Sequence, residues 1–278
     1  MAVVGVALVA AGIAAPAAAQ ESPGVTLRAE PRVVAFGART SFSGQISPAS
    51  PDQAVNIIDE MGRVIATTLT DATGTYLVRT TLRANMTVRA QWVAALSEPV
   101  VVQVRPAVST ALREVRLFGR ARVTGSVRPA HPGETVRVRL FRDGGFVRSQ
   151  RVRLRDGRWF GTAFAIHKPG NYRVSATLRD ADHLPGVGRS SPRATPLPSL
   201  GSGSENIYVR LLEKRLVALN YHLVGVNRRY DYRTADAVRA FNKVQGRARL
   251  GTVDVGTWRA LARPHIPKPR ADRGGFYI

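Results

Sequence analysis

In two runs between residues 130 and 180 the apolar positions fall on every second residue. Val136, Val138 and Leu140 alternate with Arg137 and Arg139, and Val152 and Leu154 alternate with Arg151, Arg153 and Arg155. Successive side chains of an extended chain point to opposite faces. The pattern therefore predicts strands that bury one face and leave the other, carrying arginine, in water. Turn-forming groups separate these runs: Met61-Gly62, Asp71-Ala72-Thr73-Gly74, Asp143-Gly144-Gly145, Asp156-Gly157 and Pro169-Gly170-Asn171. Gly, Asp and Asn reach the positive φ that tight hairpins need. Short strands with regular turns predict a two-sheet sandwich.

The pattern occurs twice, at a spacing of about 81 residues. Phe36-Gly37-Ala38-Arg39 opens one copy and Phe118-Gly119-Arg120-Ala121 the other. Each runs through a hydroxyl-glycine pair, Ser43-Gly44 or Thr124-Gly125. Each then passes a Pro-Ala-x-Pro turn, at 48–51 or 129–132, and resumes with a strand, Val55-Asn56-Ile57 or Val136 to Leu140. Units this long predict tandem domains, over 25–105 and 108–184, because a solenoid uses shorter and more numerous repeats. Asp71 to Tyr76 and Lys168 to Val174 resemble the closing strands of bacterial immunoglobulin-like modules. That resemblance, over about residues 25–190, is one of style and implies immunoglobulin-like sandwiches.

After Leu184 the composition turns to Pro, Gly and Ser, which predicts a linker over 185–204. Beyond it the apolar period becomes helical. Val209, Leu212, Leu216 and Leu219 form one stripe. A second helix fits Thr234 to Val244 with Ala237, Val238, Phe241 and Val244 inward and Asp231 as N-cap. A third fits Gly256 to Ala262, with Asp254 as N-cap and Trp258 and Leu261 on its apolar side. The expected architecture is multidomain: two all-β immunoglobulin-like sandwiches followed by a small all-α three-helix domain over 205–262. A Pro/Arg-rich tail over 263–278 closes the chain.

Charge alters the functional picture. The 278 residues carry a formal net charge of +22 with 44% hydrophobic residues. A core is therefore within reach, and a polyanionic partner is favoured: nucleic acid, anionic lipid, acidic wall polymer or peptidoglycan carboxylates. Nearly all the cations are arginine, which a GC-rich coding sequence also produces. There is no cysteine, so disulfides, zinc-thiolate sites and cysteine nucleophiles are excluded. Residues 1–19 form an apolar run ending Ala17-Ala18-Ala19 before Gln20. That predicts a cleaved secretory signal, although no Lys or Arg precedes the run. Retained, it would be a membrane anchor. The expected location is secreted or periplasmic, in the cell wall.

One resemblance bears on function. Leu219-Asn220-Tyr221, Asn227 to Thr234, Ala237-Val238-Arg239-Ala240-Phe241-Asn242, Gly251, Asp254-Val255-Gly256-Thr257-Trp258 and Leu261 stand in order. Together they resemble the three-helix peptidoglycan-binding domain found beside wall hydrolases and L,D-transpeptidases. The departures are Asn227-Arg228 for the family's Asp-Gly, Asp231 for its Gly and Asn242 for its Gln. The resemblance implies a glycan or stem-peptide groove lined by Asn227, Arg229, Tyr230, Tyr232 and Arg233, with aromatic platforms and guanidinium forks for carboxylates. Tyr230 also fits a core aromatic, and the arginines also fit a solvated face.

No catalytic constellation accompanies it. His131, His167, His183, His222 and His265 form no zinc-ligand spacing. Asp180, Asp182 and His183 cluster on an expected loop. No nucleophile elbow occurs, and only 19 acidic residues are spread over the chain, too sparse a set to suggest a paired-carboxylate glycosidase site. The expectation is a non-enzymatic, cofactor-free and metal-free peptidoglycan binder with its β modules as spacers. Other anionic wall polymers or a wall enzyme are further possible partners. One alternative is the front part of an L,D-transpeptidase whose Ser-His-Gly-Cys motif is absent here. The other is a charge-driven polyanion or nucleic-acid binder, disfavoured for nucleic acid because aromatic residues are not interleaved with the basic ones.

Overall fold

The computed structural model describes residues 23–129, 131 and 133–265. The expected signal at 1–19 and the tail from 266 onward lie outside the described residues. The chain forms two compact units, divided after Gln103.

Among the described residues the first unit contains ten strands, the last running two residues past the division: β1 Gly24–Val25, β2 Arg28–Glu30, β3 Val33–Ala35, β4 Arg39–Ser47, β5 Ala54–Asp59, β6 Val64–Leu69, β7 Thr75–Thr81, β8 Met86–Trp92, β9 Ala95–Leu96 and β10 Val100–Arg105. One sheet runs β1-β4-β2 with β7 also on β4, and the other runs β3-β10-β8-β5-β6 with β9 on β8. Alternation does what the sequence implies. Val88, Ala90 and Trp92 on β8 are buried while Arg89 between them is exposed.

The second unit begins with β11 Ala107–Arg113, β12 Arg120–Arg128, β13 Thr135–Arg142, β14 Gly145–Arg153, β15 Trp159–Ala165, β16 Asn171–Leu178, β17 Gly186–Arg189 and β18 Arg193–Ala194. Its sheets are β11-β12-β15 and β14-β13-β16-β17, with β18 on β16. Val123, Phe160, Val138 and Val174 from the two sheets share one buried cluster, so the unit is a β-sandwich. The repeated glycines have matching roles. Gly44 lies opposite Tyr76 across β4 and β7, and Gly125 lies opposite Phe160 across β12 and β15. A Cβ on Gly125 would stand 2.2 Å from the Phe160 ring, so each aromatic covers a position that admits no side chain.

Among the described residues three helices follow in the second unit: α1 Ile207–Ala218, α2 Tyr232–Val244 and α3 Val255–Ala262. Asn206, Asp231 and Asp254 cap them, each side chain accepting from backbone N–H groups of the first turn. These short helices do not form the separate all-α domain that the sequence pattern predicts. Their buried residues, from Val209 to Leu261, belong to the same cluster as the sandwich core. The reason is a second apolar side on α1. Leu211 lies off the Val209–Leu216 stripe, is also buried, and meets the sandwich at Gly119. Trp258 packs against Phe118 with ring centroids 6.1 Å apart and planes tilted by 36°, and its indole N–H donates to the Pro198 carbonyl at 2.7 Å. Arg215 spans the junction, with its guanidinium 5.2 Å from the Phe118 ring and its Nε donating to the Leu261 carbonyl.

The expected linker at 185–204 is likewise structured. β17 and β18 pair with β16, and Leu200 exchanges backbone bonds with Val253. The glycines that suggested flexibility serve close approach instead. A Cβ on Gly188 would sit 2.3 Å from the Val108 carbonyl oxygen, so only glycine lets β17 pass β11. The sandwich thus extends past the expected boundary at 184.

Candidate functional site

The loop after α1 and the exposed side of α2 enclose a groove of about 410 Å³ lined by Tyr221, His222, Val224, Arg233, Asp236, Ala237 and Ala240. α1 ends at Leu219. Asn220 takes a left-handed φ of 66°, which Asn tolerates, and turns the chain so that Tyr221 packs edge-on against Phe241 at 5.7 Å. Burial pushes the Tyr221 phenol above its ordinary pKa. On α2, Arg233, Asp236, Ala237 and Ala240 stand three and four residues apart and therefore share one face. The two alanines leave the room that larger side chains would fill.

A buried carboxylate secures the loop. Glu213 on α1 is 1% exposed. Its two oxygens accept from the Asn227 backbone N–H at 2.7 Å and the Thr234 hydroxyl at 2.9 Å. Burial raises its pKa, with the two hydrogen bonds pulling the other way. Thr234 also donates its N–H to Asp231, whose pKa is held low chiefly by that bond. Loop and α2 are thus tied to α1 through one satisfied polar cluster.

The residues expected to form the site separate into different roles. Asn227 faces its own backbone and accepts from the Arg229 N–H at 2.6 Å. Arg229 is exposed, and its backbone forms an isolated antiparallel β-bridge with that of Glu205. Tyr230 is a core residue, 1% exposed, whose hydroxyl donates to the Gly251 carbonyl at 2.7 Å. Tyr232 stands exposed beside the groove, with the Arg233 guanidinium 5.4 Å from its ring and Arg233 Nε donating to its hydroxyl. Of the five, only Arg233 lines the groove. The sequence reading missed Tyr221, His222, Val224, Asp236, Ala237 and Ala240. The three- and four-residue spacing from Arg233 to Ala240 was the signal available for the helical ones.

The groove combines a fixed cation, a carboxylate and apolar floor. Asp236 also engages Arg239 on the far side, at 2.5 Å. No nucleophile with an adjacent base lines it. Elsewhere, His183 and Asp180 form a hydrogen-bonded pair at 2.9 Å, with His183 buried. Among the described residues no group of three His, Cys, Asp or Glu could hold a metal ion, and no helix is long and apolar enough to cross a membrane.

No protein-family model matches the sequence, and no curated protein matches it. Several solved structures match part of the chain at low similarity. One is a tetra-tandem repeat from the extending region of a large adhesion protein, at 12% identity and TM-score 0.31, over 65% of this chain and 51% of that one. A mouse nectin-like molecule 4 ectodomain, Ig1 to Ig3, matches at 12% identity and TM-score 0.31, over 63% of this chain and 72% of that one. A Ca²⁺-stabilised adhesin that helps an Antarctic bacterium bind ice matches at 15% identity and TM-score 0.26, over 66% of this chain and 52% of that one. The chain thus spans only about half of the adhesion-protein chain named first. TM-scores this low assign neither family nor function. The resemblance of residues 200–261 to the peptidoglycan-binding domain does not hold. No family model matches, and the helices are built into a sandwich core rather than set apart.

Proposed function

We propose that this protein is a non-catalytic binding protein of the cell envelope, exported, that holds peptidoglycan through its stem peptide in the Tyr221–Ala240 groove. The observation that carries this reading is that Arg233 and Asp236 line one groove together with Ala237 and Ala240. A stem peptide offers carboxylates for a guanidinium fork, amines for a carboxylate, and small apolar side chains for the floor. The apolar run at 1–19 with its Ala-Ala-Ala end supports export. The first unit acts as a spacer.

Co-sedimentation of the mature chain with purified sacculi, at low and high salt, tests the proposal. Arg233→Ala and Ala240→Phe, which respectively remove the cation and fill the groove at an exposed position, should each lower retention about tenfold, the effect of about 1.4 kcal/mol. Retention that both variants leave unchanged, or that high salt abolishes, refutes the groove.

A further inference from the structure

The arginines predicted to face water form an ordered array on one sheet of the second unit. Residues directly opposite in an antiparallel pair point to the same face. Arg137 lies opposite Arg151, and Thr135 opposite Arg153, on β13 and β14. On the other side of β13, Arg139 lies opposite Ser175 and Phe141 opposite Arg173, while Ser175 is opposite Arg189 on β17. The guanidinium-bearing positions repeat at about 6.7 Å along strands and about 4.8 Å between them. All six of these arginines are exposed, and among the described residues none forms an ion pair.

Like charges placed directly opposite one another repel, so the array needs a reason. Protection of a sheet edge explains arginine on β14, which pairs only with β13. It does not explain Arg137 and Arg139, because β13 is a central strand. Coding bias explains abundance and not the missing acids. The opposite sheet provides the contrast: Arg113 faces Arg122 there, but Glu114 lies within ion-pair distance of both Arg116 and Arg122.

In the middle of the array is a cavity of about 420 Å³ lined by Thr135, Arg137, Arg139, Arg151, Thr177 and Arg179, closed on one side by Pro185 and Val187. This volume admits a small ring system. Guanidinium forks suit carboxylate or phosphate, the threonine hydroxyls suit sugar hydroxyls, and Pro185 and Val187 offer an apolar edge to a ring face. No aromatic ring lines the cavity, so a nucleobase has nothing to stack upon. The one aromatic residue of β13, Phe141, is engaged edge-on by Phe146 at 6.0 Å, at the hairpin end.

We infer that this face of the β14-β13-β16-β17 sheet is a binding site for an acidic glycan, a sugar polymer whose carboxylate or phosphate groups lie along the arginine rows while one sugar ring enters the cavity. The site is distinct from the α2 groove, so either can fail without the other.

The test uses the full mature chain and measures affinity for polygalacturonic acid, a phosphorylated mannan, neutral dextran and single-stranded DNA across a salt series. The double variant Arg137→Gln/Arg151→Gln is compared with Arg113→Gln/Arg122→Gln, which removes the same charge from the other sheet. Expected results are binding to one or both acidic glycans and none to dextran. The first variant should lose tenfold or more in affinity, with the slope of log affinity against log salt falling by roughly one per arginine removed, while the second stays within about twofold of native. Which glycan binds distinguishes carboxylate from phosphate. Equal losses in both variants would show diffuse charge attraction and overturn the site. Tighter binding of single-stranded DNA, lost in the first variant, would overturn the glycan assignment. Should the glutamine variant not fold, Arg137→Lys/Arg151→Lys keeps the charge and removes the forks. A several-fold loss then supports the site, and native affinity overturns it.

Discussion

Replacing Trp258 with alanine should destabilise the helices and the second sandwich together. Trp258 is 1% exposed, packs against Phe118 of the sandwich and donates its indole N–H to Pro198. Truncating a buried tryptophan costs about 3–5 kcal/mol, and the Pro198 carbonyl loses its donor, which places the variant toward the upper end. With a urea m-value of about 2 kcal/mol/M, the midpoint falls by about 2 M. The assay follows two probes in a Trp92→Phe background. Far-ultraviolet ellipticity reports the helices. Fluorescence reports the sandwich through Trp159, half-exposed on β15 beneath the Arg158 guanidinium and the one tryptophan left once Trp92 and Trp258 are both replaced. Both transitions should coincide and move together, because a cooperative unit unfolds as one. A shift of the helical transition alone, with the Trp159 transition in place, would refute a shared core and restore an independent helical domain.

Two further outcomes follow from buried contacts. Gly125→Ala should cost about 1–3 kcal/mol or more, since its Cβ would enter the Phe160 ring and the Ser109 carbonyl. Gly145→Ala, whose Cβ would meet nothing nearer than 3.5 Å, should stay within about 0.5 kcal/mol of native in the same denaturant series. Glu213→Gln should grow more favourable relative to the native chain as pH rises. Burial raises the folded pKa of Glu213 above its ordinary value, so between the unfolded and folded values the native state holds more protons, and native stability falls as pH increases through that window. The glutamine variant lacks this slope and can keep both contacts, because the Thr234 hydroxyl can accept as well as donate. Parallel stability profiles from pH 4 to 8 would show that Glu213 titrates normally.

How the molecule came to be legible, and where it did not, follows from range. The alternation of Val136 to Leu140 with arginine, the turn glycines and the caps Asp231 and Asp254 are local facts. Strand period, positive φ and helix ends depend on neighbours within a few residues, so the sequence by itself determined the strands, the repeat with its Ser43-Gly44 and Thr124-Gly125 pairs, and the positions of the helices. Long-range pairing decided the rest. Gly186 and Gly188 read as linker because composition records chain freedom and not that Pro106 and Val108 lie across from them. Leu211 was one apolar residue among several until Gly119 and Phe118 showed that α1 buries two sides. Tyr230 and Asn227 sat on a polar loop, yet one fills the core and the other shapes the backbone. The Arg137–Arg151 juxtaposition was invisible for the same reason. A period of two sends arginines to one face of each strand, but only the register, fixed by the whole sandwich, decides whether an arginine meets a carboxylate or another arginine.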